Sequence, residues 1–108
     1  MRDKVLSLLG IAQKARAVVA GNFLVEQAVS KGTAMMVILA EDAAPNTTDG
    51  IRKITHHYGV PVFLYGTKDT LGHAIGKNER SCAALLDDGF AKAIRTAIES
   101  AGGKELEN

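Results

Sequence analysis

Few residues of this chain could do acid–base or metal chemistry, and their spacing does not suit it. Glu41 and Asp42 are adjacent carboxylates at the end of an apolar run, where neighbouring side chains diverge, so a turn or cap is favoured over an acid–base pair. His56 and His57 are adjacent on a predicted helix, so their side chains point to different sides and rarely bind one metal ion together. His73 could be a third ligand, but no cysteine or pair of carboxylates stands nearby. The sequence therefore predicts no metal site and no cofactor.

The single cysteine and the nearby glycines do not complete a catalytic or nucleotide-binding motif. Cys82 has no base beside it in sequence and only Arg80 as a neighbouring cation, so an activated thiol is not expected. Gly72 and Gly76 enclose three residues, one fewer than in a P-loop, and no hydroxyl residue follows the lysine. Because no nucleophile, base and orienting group can be assembled, the sequence predicts no catalytic residues and a protein that is not an enzyme.

Two loops carry groups that suit a phosphate. Gly21 and Asn22 open a predicted helix, whose free backbone N–H groups and positive dipole end attract anions. Residues 76–81 form a charged connection that contains two cations, Lys77 and Arg80. Each loop alone is a weak signal, because most charged loops are simply solvated. Nucleic acid is the class of ligand whose phosphates could bind both loops.

The net charge of +1 hides an uneven distribution of charges along the chain. Residues 1–40 carry five basic and two acidic side chains, and residues 51–80 carry the same numbers. Residues 81–108 carry five acidic and three basic side chains. If the two basic segments meet in space, a nearly neutral protein presents a basic face that could attract nucleic acid.

Composition indicates an ordinary globular domain. The chain has 108 residues, of which 46% are hydrophobic and 23% charged. No apolar run approaches the roughly 20 residues that a membrane-spanning helix needs, and the N-terminus resembles an amphipathic helix rather than a signal peptide. A lone cysteine excludes an internal disulfide and suits a reducing compartment. We therefore expect a cytoplasmic monomer with no membrane partner.

Helical and strand patterns alternate along the chain and predict the elements that position these loops. The predicted strands are residues 18–20, 35–40, 60–65 and 81–86, and the predicted helices are residues 3–16, 22–31, 46–58, 67–75 and 87–101, with residues 46–49 capping the third helix. This alternation predicts an α/β fold, a three-layer α/β/α sandwich around a central four-stranded mixed sheet. Residues 1–101 are expected to form one domain and residues 102–108 a flexible tail.

A series of short motifs runs through nearly the whole chain in a distinctive order and spacing. They are residues 9–12, 14–16, 18–21, 28–32, 37–45, 71–72, 75–77 and 89–91. No one of them is highly specific, but together they resemble the bacterial YlxQ-type branch of the ribosomal protein 7Ae/30e family. The resemblance implies an α/β/α sandwich and a small protein that binds structured RNA, typically a kink-turn, in a ribosome-related setting.

In that family, RNA recognition is carried partly by the start of the second helix, and the resemblance transfers this site residue by residue. Gly21 matches the glycine that opens the helix, with Asn22 beside it. The family's asparagine–glutamate pair, which reads sheared G·A pairs, falls on Phe23 and Leu24, which cannot make those hydrogen bonds. The lysine that follows the pair falls on Gln27, a neutral residue that can still donate.

The rest of the implied interface is charged. Lys31 keeps a basic residue of the family near the end of the second helix, and Lys14 and Arg16 extend the basic face. The family's second contact is the loop before the last strand. It falls on Lys77, Asn78, Glu79 and Arg80.

The leading prediction is therefore binding of structured, ribosome-associated RNA with weakened kink-turn specificity. Each base-edge hydrogen bond that Phe23 and Leu24 cannot make is worth about 1–3 kcal/mol of discrimination, whereas the cations retain their attraction for phosphates. The alternative is an adaptor that docks on a ribosomal or transcription-related protein, with Phe23 and Leu24 as an apolar contact patch. RNA binding would weaken steeply as salt rises, which separates the two.

Overall fold

Five helices alternate with four strands along residues 3–106, the part of the chain that this computed structural model describes. In chain order they are α1 (Lys4–Lys14), β1 (Val18–Ala20), α2 (Asn22–Ser30), β2 (Met36–Leu39), α3 (Pro45–Tyr58), β3 (Val62–Leu64), α4 (Lys68–Ala74), β4 (Cys82–Leu85) and α5 (Asp88–Ser100). The predicted order of elements is confirmed, with small shifts at their ends. None of the described helices is both long and apolar enough to cross a membrane.

The four strands form one mixed sheet in the spatial order β1-β4-β2-β3. β2 and β3 are parallel, whereas β4 is antiparallel to both of its neighbours, β1 and β2. This pairing sets Ala20, at the end of β1, opposite Ala83, near the start of β4. The connections that follow β1 and precede β4 therefore emerge at the same end of the sheet.

Helices cover both faces of the sheet, which confirms the predicted three-layer α/β/α sandwich. Because alternate residues of a strand face opposite sides, Met36 and Ile38 pack with α1, α4 and α5, whereas Val37 and Leu39 pack with α2 and α3. All four residues of β2 are buried. Burial on both faces explains why this part of the sequence is a continuous apolar run rather than an alternating one.

The acidic turn after β2 has the structural role that the sequence favours. The carboxylate of Asp42 accepts a hydrogen bond from the backbone N–H of Lys68 at 2.7 Å, at the first residue of α4. The backbone N–H of Glu41 donates to the carbonyl of Gly66 at 2.8 Å. A carboxylate at a helix N-terminus satisfies a free N–H group and interacts favourably with the helix dipole. The predicted cap role is confirmed for Asp42.

The start of α3 differs from the prediction. The sequence predicts that residues 46–49 cap this helix, but they lie inside it, and the capping position is Ala44, which makes no side-chain hydrogen bond there. Pro45 occupies the first turn. Proline has a helical φ and no N–H group that needs a partner, so the helix can begin there without a polar cap. The predicted cap is wrong for this reason.

The C-terminal segment lies against β3 as far as Leu106, the last residue described. Leu106 donates its N–H to the carbonyl of Val62 at 2.7 Å, and Glu105 forms an antiparallel bridge with Phe63. The sequence predicts a domain that ends at residue 101 and a flexible tail over residues 102–108. The structure differs, because part of that segment pairs with the sheet edge through backbone groups, which any residue type can supply. Residues 107–108 lie outside the described part of the chain.

Candidate nucleic-acid interface

Gly21 opens α2 in a conformation that favours glycine. Its φ of 94° lies where other residues are strained. Its N–H donates to the carbonyl of Cys82 at 3.0 Å, and its own carbonyl accepts the N–H of Val25 at 3.0 Å. Within residues 3–106, no side chain caps this helix. The first N–H groups of α2, with the positive end of the helix dipole, are therefore available to an outside anion.

The side chain of Asn22 links α2 to α3 and β4. Its Nδ2 donates to the hydroxyl of Thr47 at 3.5 Å, and its Oδ1 accepts from the thiol of Cys82 at 3.5 Å. Burial, together with the negative charge of Glu26, raises the pKa of Cys82 to about 12, so the thiol stays protonated at neutral pH. Both polar atoms of the Asn22 side chain therefore have partners within the fold. Its backbone N–H is the group that could contact a ligand.

Two glycines set the path of the connection between α4 and β4. Gly76 has a φ of 72°, which glycine adopts without strain. Gly72 lies so close to the connection that a side chain there would collide with the carbonyl group of Asn78. The carbonyl of Gly72 also accepts the N–H of Lys77 at 2.8 Å. The connection is therefore held against α4, which determines where its cations lie.

Arg80 is folded back along this connection. Its Nη1 donates to the backbone carbonyls of Asn78 and Glu79, at 3.2 and 2.8 Å. Its backbone N–H donates to the carbonyl of Lys68 at 3.0 Å. Arg80 is half-buried, whereas Lys77 and its two neighbours are exposed. Because a guanidinium has five N–H donors, Arg80 can brace the connection and still donate to a phosphate.

The start of α2 and the connection before β4 meet, because β1 and β4 are antiparallel neighbours. A Cβ placed on Gly21 would lie 3.8 Å from Cδ of Arg80. Side chains from both segments line a cleft along the edge strand β1, which we call the β1 cleft. Its lining residues are Gln13, Val18, Val19, Ala20, Leu24, Ile75, Lys77 and Arg80. Backbone donors and two cations therefore converge at one end of the sheet.

The remaining predicted site residues of α2 follow one flank of the helix. Leu24, Gln27 and Lys31 have the spacing that places side chains on the same side. Leu24 lines the β1 cleft, whereas Lys31 follows the last of the nine residues of α2. At 1.5 Å per residue, Lys31 lies about 13 Å along the axis from the start of the helix. It is a cation outside the cleft, at the other end of α2.

Phe23 points away from the rest of the fold. The buried residues of α2 are Val25, Ala28 and Val29. At 100° per residue, Phe23 lies on the opposite side of the helix from them, and 73% of its surface is exposed. Leu24 next to it is 45% exposed. The start of α2 therefore presents an apolar pair beside the two cations of the β1 cleft.

A second cleft joins the β1 cleft on the side of α1. Its lining residues are Ser7, Gly10, Ile11, Gln13, Lys14, Ala74, Ile75 and Gly76. Gln13 and Ile75 line both clefts. Lys14 belongs to the first basic segment of the chain and Lys77 to the second, so the fold does bring cations of the two segments to one surface. Sequence patterns did not single out Gln13, which is uncharged and lies between the motifs at residues 9–12 and 14–16, and they include Ile75 only as a member of the motif at residues 75–77.

Comparison with known proteins assigns this chain to a family. The profile of the ribosomal protein L7Ae/L30e/S12e/Gadd45 family matches residues 3–95, so the chain belongs to that family. Within it, the chain belongs to the YlxQ-type branch. It is 36% identical over 92 residues to the RNA-binding protein YlxQ of Bacillus subtilis (strain 168), a match that covers 85% of this chain and 92% of that protein. The resemblance seen in the sequence motifs is thereby confirmed.

Two solved structures share the architecture. A protein with unknown function from Bacillus halodurans C matches with a TM-score of 0.86 at 37% identity, covering 91% of this chain and 99% of that one. The 15.5kD RNA binding protein of Giardia lamblia matches with a TM-score of 0.75 at 21% identity, covering 94% of this chain and 91% of that one. The second match is evidence of a common fold alone.

Proposed function

We propose that this protein binds structured RNA, without catalysis, through the start of α2 and the charged connection before β4. The observation that carries the proposal is the meeting of Gly21 with Arg80 at the β1 cleft. The uncapped N–H groups of α2 can hydrogen-bond a phosphate, and Lys77 and Arg80 add positive charge. Family membership and the RNA-binding relative in Bacillus subtilis support the same class of ligand.

The RNA that we propose is ribosomal and kink-turn-like, bound with a reduced preference for the kink-turn itself. Phe23 and Leu24 have no side-chain group that could hydrogen-bond a base edge, and Gln27 is neutral. Each base contact missing in this way lowers discrimination by about 1–3 kcal/mol. Phosphate contacts and groove shape then carry the selection. We place this role in the cytoplasm, with the protein acting as a monomer.

Replacing Lys77 and Arg80 together by glutamine tests the proposal. Each phosphate contact contributes about 0.7 to 0.9 to the slope of log affinity against log salt concentration. We expect K77Q/R80Q to bind a kink-turn RNA more weakly at low salt, with a slope that is smaller by about 1 to 2. Fluorescence anisotropy of a labelled RNA at several salt concentrations measures both quantities, and circular dichroism checks that the variant is folded.

A matched control removes the same charge elsewhere. Lys92 lies on α5, where it pairs with Asp88 at 3.0 Å, and Lys104 lies in the segment beside β3, the edge of the sheet opposite β1. We expect K92Q/K104Q to bind RNA almost as the wild type does. Equal losses in the two double variants would show that net charge alone attracts RNA. An unchanged affinity of K77Q/R80Q would contradict the proposal.

A protein-interaction adaptor is the second candidate function, because Phe23 and Leu24 are 73% and 45% exposed side by side. An apolar patch of this kind can dock a ribosomal or transcription-related protein. Such docking would persist at high salt, whereas RNA binding weakens steeply. The adaptor function would be favoured if the protein kept a protein partner at high salt and did not bind RNA even at low salt.

A further inference from the structure

Phe23 has no packing role in the fold. Its exposed fraction of 73% is the largest among the big hydrophobic residues that the structure describes. It lies in the first turn of α2, on the side away from the buried Val25 and Ala28. A lone exposed apolar residue needs no explanation. Here, however, a phenyl ring and the neighbouring Leu24 stand together at an uncapped helix start beside a cationic cleft.

The surroundings of Phe23 restrict what could cover it. Leu24 lines the β1 cleft with Lys77 and Arg80, so positive charge lies on that flank of the ring. The acidic residue of α2, Glu26, lines a separate groove with Lys53 of α3. A partner that offers an apolar face together with negative charge would complement both features. RNA with unpaired nucleotides offers both, because each base has a π-face and each nucleotide carries a phosphate.

We propose that Phe23 is a stacking platform for an unpaired base of the bound RNA, whose phosphates lie at Lys77 and Arg80. This inference rests on the proposed function and narrows its ligand class. A phenyl ring can stack only on a base whose face is accessible, which favours an unpaired base over a paired one. Because the ring has no hydrogen-bonding group, it does not distinguish one base type from another. The protein therefore prefers RNA with a bulge or loop at this position over a continuous duplex.

The first test compares two hairpin RNAs that differ only in a three-nucleotide bulge. We expect Phe23→Ala to weaken binding of the bulged hairpin about tenfold, as loss of one base–aromatic stack does. Binding of the hairpin without the bulge stays close to that of the wild type. Phe23→Trp restores the preference for the bulge, because a larger ring stacks at least as well. Tyr58→Ala, at an exposed aromatic of α3, is the control that changes neither affinity.

A spectroscopic readout reports the stack directly. The chain contains two tyrosines but no tryptophan, so Phe23→Trp introduces a single tryptophan, which can be excited selectively, at the proposed platform. We expect the bulged hairpin to quench its emission in proportion to binding, because a stacked base quenches an indole ring. Tyr58→Trp places the same fluorophore at the far end of α3, and we expect its emission to stay unchanged on addition of RNA.

The outcomes separate this inference from the function on which it rests. If the wild type binds neither hairpin at low salt, the proposed function fails, and the inference fails with it. If the wild type binds with a steep salt dependence but Phe23→Ala loses no affinity and Phe23→Trp is not quenched, the stacking platform is overturned while RNA binding stands. An equal loss on both hairpins also overturns it, because the ring would then not select unpaired nucleotides.

Discussion

Gly72 positions the cations of the β1 cleft without contacting a ligand. A side chain at this position would collide with the carbonyl group of Asn78 and push the connection away from α4. Lys77 and Arg80 would move with it. We expect Gly72→Ala to lower the free energy of unfolding by about 1–3 kcal/mol, the usual cost of overpacking. We also expect weaker RNA binding, measured by anisotropy beside urea unfolding.

Gly50 provides a matched control at the residue scale. It also lies inside a helix, α3, but a Cβ there would meet no atom within 4 Å. Because alanine is the better helix former, we expect Gly50→Ala to stabilise the protein by about 0.5–1 kcal/mol and to leave RNA binding unchanged. Similar stability in the two variants would contradict the close contact assigned to Gly72.

The sequence predicts which residues lie at the candidate site better than it predicts what each of them does there. In the sequence, Gly21 is singled out because it opens a predicted helix, and Lys77 and Arg80 because of their charge; all three lie at or beside the β1 cleft. Asn22 is singled out with Gly21 at the same helix start, yet its side chain binds Thr47 and the buried thiol of β4. A polar side chain can serve a ligand or the fold, and only its surroundings show which.

At the scale of elements, α2 begins differently from three of the other described helices. Helices α1, α4 and α5 are each capped by a side chain, from Asp3, Thr67 and Asp87. α2 follows Gly21, which has no side chain to offer. Capped helices have a backbone donor already satisfied, whereas α2 keeps its donors for an outside acceptor. Among the described helices α3 also lacks a side-chain cap, at Ala44, but α2 is the one whose uncapped start lies beside the cations of the β1 cleft.

The C-terminal segment supports a stability prediction at the same scale. Arg95 lies over the ring of Phe63, 5.5 Å from its centroid, and its Nη2 is 3.3 Å from the carboxylate of Glu105. Leu106 packs against the core between the sheet and α2 and α3. Deleting residues 104–108 leaves Arg95 over Phe63 but removes its ion pair with Glu105, the packing of Leu106 and the backbone bond to Val62. We expect the free energy of unfolding to fall by about 1–3 kcal/mol.

RNA binding is the control for this deletion. The segment lies at β3, and the β1 cleft lies at the opposite edge of the sheet. We therefore expect the truncated protein to bind RNA as the full chain does, at temperatures where both are folded. Urea unfolding and anisotropy on the same samples test the two statements. An unchanged urea midpoint would show that the contacts with β3 contribute nothing measurable.

The molecule as a whole is expected to lose stability at alkaline pH. Burial raises the pKa of Cys82 to about 12 from 9.0. Burial and a hydrogen bond to Asp3 raise the pKa of Tyr65 to about 12 from 10.0. The unfolded chain loses these protons first, so between about pH 9 and 12 the folded state binds more protons. The stabilisation is therefore complete below pH 9 and declines as pH rises towards 12.

Two variants separate the contributions to this decline. Cys82→Ala removes the part that begins near pH 9, for which one proton gives a slope of about 1.4 kcal/mol per pH unit. Tyr65→Phe removes the part that begins near pH 10. Urea unfolding between pH 8 and 11 measures the slopes. A wild-type stability that is constant over this range would contradict the raised pKa values.

The order of elements and the fold class were determined by the sequence alone, because they depend on local patterns. The run that contains β2 is apolar at every position, and such a run predicts a strand covered on both faces. The helical stripe Val5, Leu8, Leu9 and Ala12 predicts which side of α1 packs inward; Val5, Leu9 and Ala12 are buried and Leu8 is half-buried. Covered strands that alternate with one-sided helices lead to a layered sandwich.

The tertiary structure decided which loops share a surface. Gly21 and Arg80 are far apart in sequence, and nothing local relates them. They meet because β4 inserts between β1 and β2 and runs antiparallel to both, which brings the end of β1 beside the start of β4. Strand order depends on how whole faces and edges pack, which no local pattern encodes. The sequence determined the chemical groups of the β1 cleft, and the sheet topology brought them together.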